Sequence, residues 1–200
     1  MNLKSYVRIT SSNIVSDKTV PHYEGAGSAL ISSAFKSLGT GYAKFYKMDT
    51  LSKLGFLASE ILLADESERF QPREDRAVIL MNSTSSICDD RHYQDSIKDP
   101  DSFFPSPALF VYTLPNIVTG EIAIRNKYFG ETSFYVLPKP EPAEIFRITD
   151  EAFRDRMTRS VLGGWLDCVS DDEFEAVMFL VEETGCGKEW NINELKNIFK

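Results

Sequence analysis

The chain has 200 residues, 42% of them hydrophobic, and a formal net charge of -8 at pH 7. This acidic balance argues against a nucleic-acid or anionic-membrane surface, because either would repel the protein. The length is enough to bury one full core. We therefore predict one main domain over residues 1–183 and a C-terminal tail over residues 184–200 that carries a short helix.

The sequence predicts a cytoplasmic protein. No run approaches the roughly 18 apolar residues of a membrane span, and residues 1–13 lack the apolar core of a signal peptide. The three cysteines, Cys88, Cys168 and Cys186, are odd in number and widely spaced. This spacing is typical of reduced thiols rather than of a disulfide framework.

Apolar runs and polar turns alternate along the chain as in an α/β fold. Strands are predicted at Tyr6–Thr10, Ala77–Met81, Thr132–Leu137, Val161–Val169 and Phe174–Val181. Helices are predicted near Ser28–Leu38, after the capping residue Asp49, at Asp89–Ile97, after Thr113 and at Pro142–Arg159. The turn Ser170-Asp171-Asp172 is so short that the last two predicted strands, which it joins, must be antiparallel neighbours. We therefore predict a three-layer α/β/α sandwich around a five-stranded mixed sheet whose last strand is antiparallel.

The segment Phe103–Leu137 is predicted to be a loop, a helix, a turn and a strand. Thr113 can cap the helix, apolar residues recur at helical spacing from Leu114 to Ile122, and Gly130 ends it. The strand then runs directly into Pro138-Lys139-Pro140, where neither proline can donate to a sheet.

Several segments carry a resemblance to a known family. They are SYVRITSSNIVS (5–16), KFYKMDTLSKLGFLASEILL (44–63), RAVILM (76–81), SPALFVYTLPNIVTGEIAIRNKYFG (106–130), LGGWLD (162–167) and AVMFLVEE (176–183). In this order they resemble the N-terminal half of β-ketoacyl synthases, the condensing enzymes of fatty-acid and polyketide synthesis. The resemblance implies half of a thiolase-like fold.

The chain departs from this family where the family performs its chemistry. Counted from Gly130, the position of the family's nucleophilic Cys falls on Lys139, between Pro138 and Pro140, which we interpret as a degenerate nucleophile position. The family's catalytic His residues lie in its C-terminal half, which has no counterpart here; His22 and His92 both precede the Leu-Pro-Asn helix. We therefore predict no catalytic residues and a pseudoenzyme.

Other reactive side chains have simpler explanations. Cys168 is followed by carboxylates that would oppose a thiolate, which favours a packed thiol. Cys88 and His92 could serve as thiol and base or as two metal ligands, but their spacing supplies too few partners, so we predict no metal and no cofactor. The acidic pairs Asp89-Asp90 and Asp171-Asp172 are typical of solvated turns.

Two further groups could serve an acyl ligand or an acyl carrier protein. Four arginines fall on one predicted helix and could form a basic patch, or simply a solvated face: Arg147, Arg154, Arg156 and Arg159. Aromatic residues between Phe103 and Tyr135 could line an acyl tunnel, or simply pack in the core or an interface.

The strand Thr132–Leu137 is the predicted interface. The resemblance implies that it lies at the sheet edge and pairs antiparallel with its mate across a dimer, which would bury an apolar edge. The interface candidates are Thr132, Ser133, Phe134, Tyr135, Val136 and Leu137.

The function that these expectations favour is a non-catalytic ketosynthase-like subunit of fatty-acid or polyketide-type biosynthesis. It would form a homodimer, or a heterodimer with a full-length ketosynthase. Two alternatives stay open: an acyl-carrier-dependent decarboxylase or acyltransferase that uses Lys139 or Glu141, and one piece of a split condensing enzyme.

Overall fold

The computed structural model describes residues 1–21, 23–101 and 103–200. Within these ranges one mixed sheet has seven strands: β1 Asn2–Thr10, β2 Ile14–Ser16, β3 Arg76–Asn82, β4 Thr132–Val136, β5 Ser160–Ser170, β6 Glu173–Glu182 and β7 Lys188–Glu189. Their spatial order is β2-β1-β6-β5-β3-β4, and β7 pairs with β1. β3 is parallel to β4 and β5, whereas β6 is antiparallel to both β5 and β1.

The five predicted strands are confirmed, and the antiparallel direction of the fifth is also confirmed. The strand count of five is corrected to seven, because β2 and β7 were missed. Both are short, with three and two residues, so neither is long enough to show an alternating pattern. β2 pairs with β1 across the turn Ser11-Ser12-Asn13.

Helices cover both faces of the sheet, as the three-layer prediction requires. Seven α-helices lie within the described ranges: α1 Gly27–Leu38, α2 Thr50–Leu62, α3 Ile87–Ile97, α4 Pro107–Tyr112, α5 Ile117–Asn126, α6 Pro142–Glu151 and α7 Ile192–Ile198. The side chains of β3 pack against helices on both faces of the sheet. Val78 and Leu80 pack in the cluster with α1, α2 and α5, while Ile79 and Met81 pack in the opposite cluster with α6 and α7.

The helix after Thr113 begins and ends differently from the prediction. Thr113 follows α4, and its hydroxyl donates to the Phe110 carbonyl, so it caps the C-terminus of one helix instead of the N-terminus of the next. α5 then ends at Lys127, which has a left-handed φ of 57°. Gly130 therefore does not end the helix, because a non-glycine residue takes the left-handed position that glycine usually occupies.

The predicted helix Pro142–Arg159 is shorter than expected, since α6 ends at Glu151 and a 3₁₀ helix follows at Ala152–Asp155. The four arginines consequently do not share one helix. Arg147 pairs with Glu144 and Glu151, and Arg159 pairs with Glu183. These ion pairs neutralise much of the charge that the predicted basic patch needed.

Residues 184–200 contribute to the sheet and to one core cluster. β7 pairs with the start of β1, and the predicted short helix forms as α7. Trp190, Leu195 and Ile198 are buried in the cluster beneath α6. None of the helices in the described ranges is long and apolar enough to cross a membrane.

Candidate functional site

β4 is the last strand on one side of the sheet. The Leu137 N–H donates to the Asn82 carbonyl at 2.7 Å, and the Val78 N–H donates to the Glu131 carbonyl at 2.8 Å. Because a parallel ladder uses alternate residues of a strand, Thr132, Phe134 and Val136 direct their backbone N–H and C=O groups away from β3. Within the described ranges no strand pairs with this outer edge.

The side chains of the predicted interface strand point to both faces of the sheet. Phe134 packs partly against the cluster of α2 and α5, and Leu137 packs partly against the cluster of α6. Tyr135 is 38% exposed and Val136 is 54% exposed. The edge therefore combines unpaired backbone groups with exposed apolar side chains.

The predicted nucleophile position lies on the surface. In the connection from β4 to α6, the Lys139 ammonium group is 3.0 Å from a carboxylate oxygen of Glu141, and these side chains are 73% and 48% exposed. α6 starts at Pro142 without a side-chain cap. The Lys139 side chain is therefore exposed and engaged in an ion pair, and no pocket of the described residues encloses it as activation of a lysine nucleophile requires.

A second region, which we call the acidic cavity, lies where α3, α4, the start of α2 and the β5–β6 turn meet. It encloses about 260 Å³. Its lining includes Asp49, Thr50, Asp89, His92, Tyr112 and Asp171. Sequence spacing could not reveal it, because four separate elements bring these residues together.

Two carboxyl groups lie beside each other in the acidic cavity, Asp89 buried and Asp49 half-buried. Asp49 caps α2 by accepting a hydrogen bond from the Ser52 N–H at 3.1 Å, while its Oδ1 is buried with no hydrogen-bond partner in the described structure. Asp89 is 8% exposed. Burial, and then the charge of Asp49, raise the pKa of Asp89 to about 8. Burial also raises the pKa of Asp49.

Asp171 connects α2 and α3 from the β5–β6 turn. Its Oδ1 accepts a hydrogen bond from the Thr50 hydroxyl, and its Oδ2 lies 3.4 Å from His92 Nε2. The Cys88 thiol donates to the same carboxylate at 3.9 Å. The acidic pair predicted to be a solvated turn thus has one member, Asp171, in contact with a thiol, an imidazole and a hydroxyl group.

The two cysteines beside the cavity are held as thiols. Burial, and then the charge of Asp171, raise the pKa of Cys88 to about 11. Burial likewise raises the pKa of Cys168, which is 2% exposed and donates to the Ser170 carbonyl at 3.3 Å. Cys168 is packed as predicted, and the carboxylates around Cys88 make it unsuitable as a nucleophile.

Asp167, at the carboxyl end of β5, positions the loop that leads into α3. Its Oδ1 accepts hydrogen bonds from the backbone N–H groups of Ser83 at 2.9 Å and Thr84 at 3.2 Å, and its Oδ2 accepts from the Trp165 indole at 2.9 Å. Polar residues that follow β3 and β5, which are neighbouring parallel strands, were a signal for this contact. No comparable signal linked Asp49 to Asp89. The other histidine, His22, lies outside the described residues.

No protein-family model matches the chain. No curated protein matches its sequence either. Solved structures do match. A chain of the ishigamide ketosynthase/chain length factor superposes with a TM-score of 0.61 and 16% identity over 92% of this chain and 62% of that chain.

Two further structures give the same result. A chain of a ketosynthase in complex with its chain length factor from Xenorhabdus doucetiae matches with a TM-score of 0.57 and 12% identity, over 92% of this chain and 80% of that chain. A β-ketoacyl synthase from Burkholderia phymatum matches with a TM-score of 0.56 and 13% identity, over 90% of this chain and 58% of that chain. The chain thus spans less than two thirds of two of these three proteins, and identities this low concern the fold alone.

Proposed function

From the thiolase-like fold that this chain shares with ketosynthases, we propose that it is a non-catalytic subunit that pairs with a complete ketosynthase. The pathway would be fatty-acid or polyketide-type biosynthesis, in the cytoplasm. The observation that carries the proposal is the open edge of β4, which has unpaired backbone groups and the exposed side chains of Tyr135 and Val136. An edge of this kind is normally paired, covered or charged in a stable protein.

The surroundings of β4 support an interface. Ile124 lies on α5, which packs beside β4, and Phe129 shortly precedes the strand; both are exposed. An antiparallel strand from another chain would satisfy the outward backbone groups and would bury these apolar side chains. Two of the matching structures are themselves described as a ketosynthase with a chain length factor.

The absence of condensing chemistry is supported by the β4–α6 connection. Lys139, at which the resemblance places the family nucleophile, is exposed and paired with Glu141. Cys88 and Cys168 lie beside the acidic cavity instead, and both have raised pKa values.

A charged substitution at the edge tests the interface. We expect Val136→Lys to weaken association by at least about tenfold, because an unpaired ammonium group would be buried against the partner. The matched control is Val15→Lys, since Val15 is 47% exposed on β2, the strand at the opposite end of the sheet from β4. Native mass and affinity purification from the host should be measured for wild type and both variants.

The results separate the possibilities cleanly. Recovery of a complete ketosynthase with wild type and Val15→Lys, and its loss with Val136→Lys, would support the proposal. A homodimer that is lost with Val136→Lys but not with Val15→Lys would support the interface at β4, with a second copy of this chain as the partner instead of a ketosynthase. A wild-type monomer that captures no ketosynthase, or equal association of all three proteins, would refute the proposal.

A further inference from the structure

Cys88 and His92 lie one helical turn apart on α3, and the β5–β6 turn brings Asp171 to them. One possible ligand atom from each residue lies within 4.8 Å of the other two. His92 Nε2 is 3.4 Å from Asp171 Oδ2, and Cys88 Sγ is 3.9 Å from Asp171 Oδ1. The fold therefore supplies the third partner that the Cys-His spacing lacked.

These separations are close to those of a metal site. Zinc binds sulfur at about 2.3 Å and nitrogen or carboxylate oxygen at about 2.0–2.2 Å, so tetrahedral ligand atoms lie about 3.3–3.6 Å apart. Small rotations of the His92 and Asp171 side chains, which are 45% and 50% exposed, would bring all three atoms into this range. The Thr50 hydroxyl already donates to Asp171 and would orient it as a ligand.

Two further carboxyl groups lie in the same cavity beside these three residues. The Asp89 carboxyl group lines the same cavity, is 8% exposed and accepts no hydrogen bond from a donor in the described structure. Asp49 Oδ1 is also buried there, beside the Asp89 carboxyl group and with no other hydrogen-bond partner. Lys47 and Lys53 also line the cavity, but among the described residues the only ion pair that Asp49, Asp89 and Asp171 make is that of Asp171 with His92. Buried carboxylates are normally paired with cations or coordinate metals.

We propose that Cys88, His92 and Asp171 bind a zinc-like divalent ion at the edge of the acidic cavity. Cys88 would lose its proton to solvent on binding, so that its thiolate and the Asp171 carboxylate together balance the two positive charges of the ion. A mixed sulfur, nitrogen and oxygen ligand set suits zinc or cobalt and disfavours magnesium and calcium, which select oxygen ligands. This site goes beyond the proposed subunit function and does not depend on it.

Cobalt titration of the chelator-treated full chain tests the site, since a cobalt–thiolate bond gives a charge-transfer absorption. We expect one ion per wild-type chain with this absorption, and displacement of cobalt by zinc. Cys88→Ser should abolish the absorption. His92→Ala and Asp171→Asn should weaken binding by at least about tenfold. The controls are Cys186→Ser, which changes the exposed tail thiol, and Asp90→Asn, which changes an adjacent exposed carboxylate.

Folding of each variant should be checked by circular dichroism. If Cys88→Ser does not fold, the His92→Ala and Asp171→Asn titrations decide the question. The proposal is overturned if wild type binds no ion stoichiometrically, if Cys88→Ser keeps the absorption, or if the two other ligand variants bind as tightly as Asp90→Asn.

Discussion

The β4–α6 connection and the acidic cavity both follow carboxyl ends of neighbouring parallel strands, yet they differ in charge and burial. At the connection, Lys139 and Glu141 are exposed and paired with each other. In the cavity, the buried Asp89 lies beside the half-buried Asp49. The loop at which the resemblance places the family's nucleophile and the cavity in which carboxyl pKa values are raised are therefore separate parts of this chain.

The largest expected difference concerns the thiols beside the cavity. The pKa of Cys88, raised to about 11 by burial and the Asp171 carboxylate, leaves about 100-fold less thiolate at neutral pH than an ordinary cysteine has. We expect iodoacetamide to label Cys186 rapidly and the buried Cys88 and Cys168 slowly, as measured by peptide mass spectrometry of the chelator-treated native protein. Equal labelling of Cys88 and Cys186 would contradict this electrostatic picture of the cavity.

An intermediate effect is expected where α2, which carries the cavity residue Thr50, packs on α5, which leads to β4. A Cβ added at Gly55 would lie 2.5 Å from Val118 Cγ2 and 3.0 Å from Leu166 Cδ1. We expect Gly55→Ala to lower the free energy of unfolding by about 1–3 kcal/mol, because overpacking outweighs the gain in helix propensity. Urea unfolding measures this change.

Gly120 on α5 is the matched control, because a Cβ there would meet nothing within 4 Å. Gly120→Ala should raise the free energy of unfolding by about 0.5–1 kcal/mol through helix propensity alone. If both substitutions stabilise the protein, the close contact between α2 and α5 at Gly55 does not constrain the packing.

The sequence revealed the sheet better than it revealed the cavity, for physical reasons. β3 is covered on both faces, so its uninterrupted run of apolar residues predicted a buried strand without knowledge of the neighbouring elements. Lys127 ends α5 in a left-handed conformation that favours glycine, so the helix end was misplaced at Gly130. Asp49 and Asp89 lie far apart in the chain and meet through tertiary packing. The spacing of residues along the chain therefore does not predict that these two carboxyl groups lie beside each other.

The smallest expected effect belongs to Lys139. Its ion pair with Glu141 is exposed, and such pairs contribute about 0–1 kcal/mol. We expect Lys139→Ala to change the free energy of unfolding by less than about 0.5 kcal/mol, as measured by urea unfolding. Association should also be unchanged, because its side chain lies beyond the end of β4.

The same variant distinguishes a subunit from an enzyme. If the β4–α6 connection has no chemistry, wild type and Lys139→Ala will be equally inactive with acylated carrier proteins in decarboxylation and acyl-transfer assays. Turnover by wild type that disappears in Lys139→Ala, with folding and association intact, would instead place the reaction at this connection. The decarboxylase or acyltransferase alternative would then be the better account.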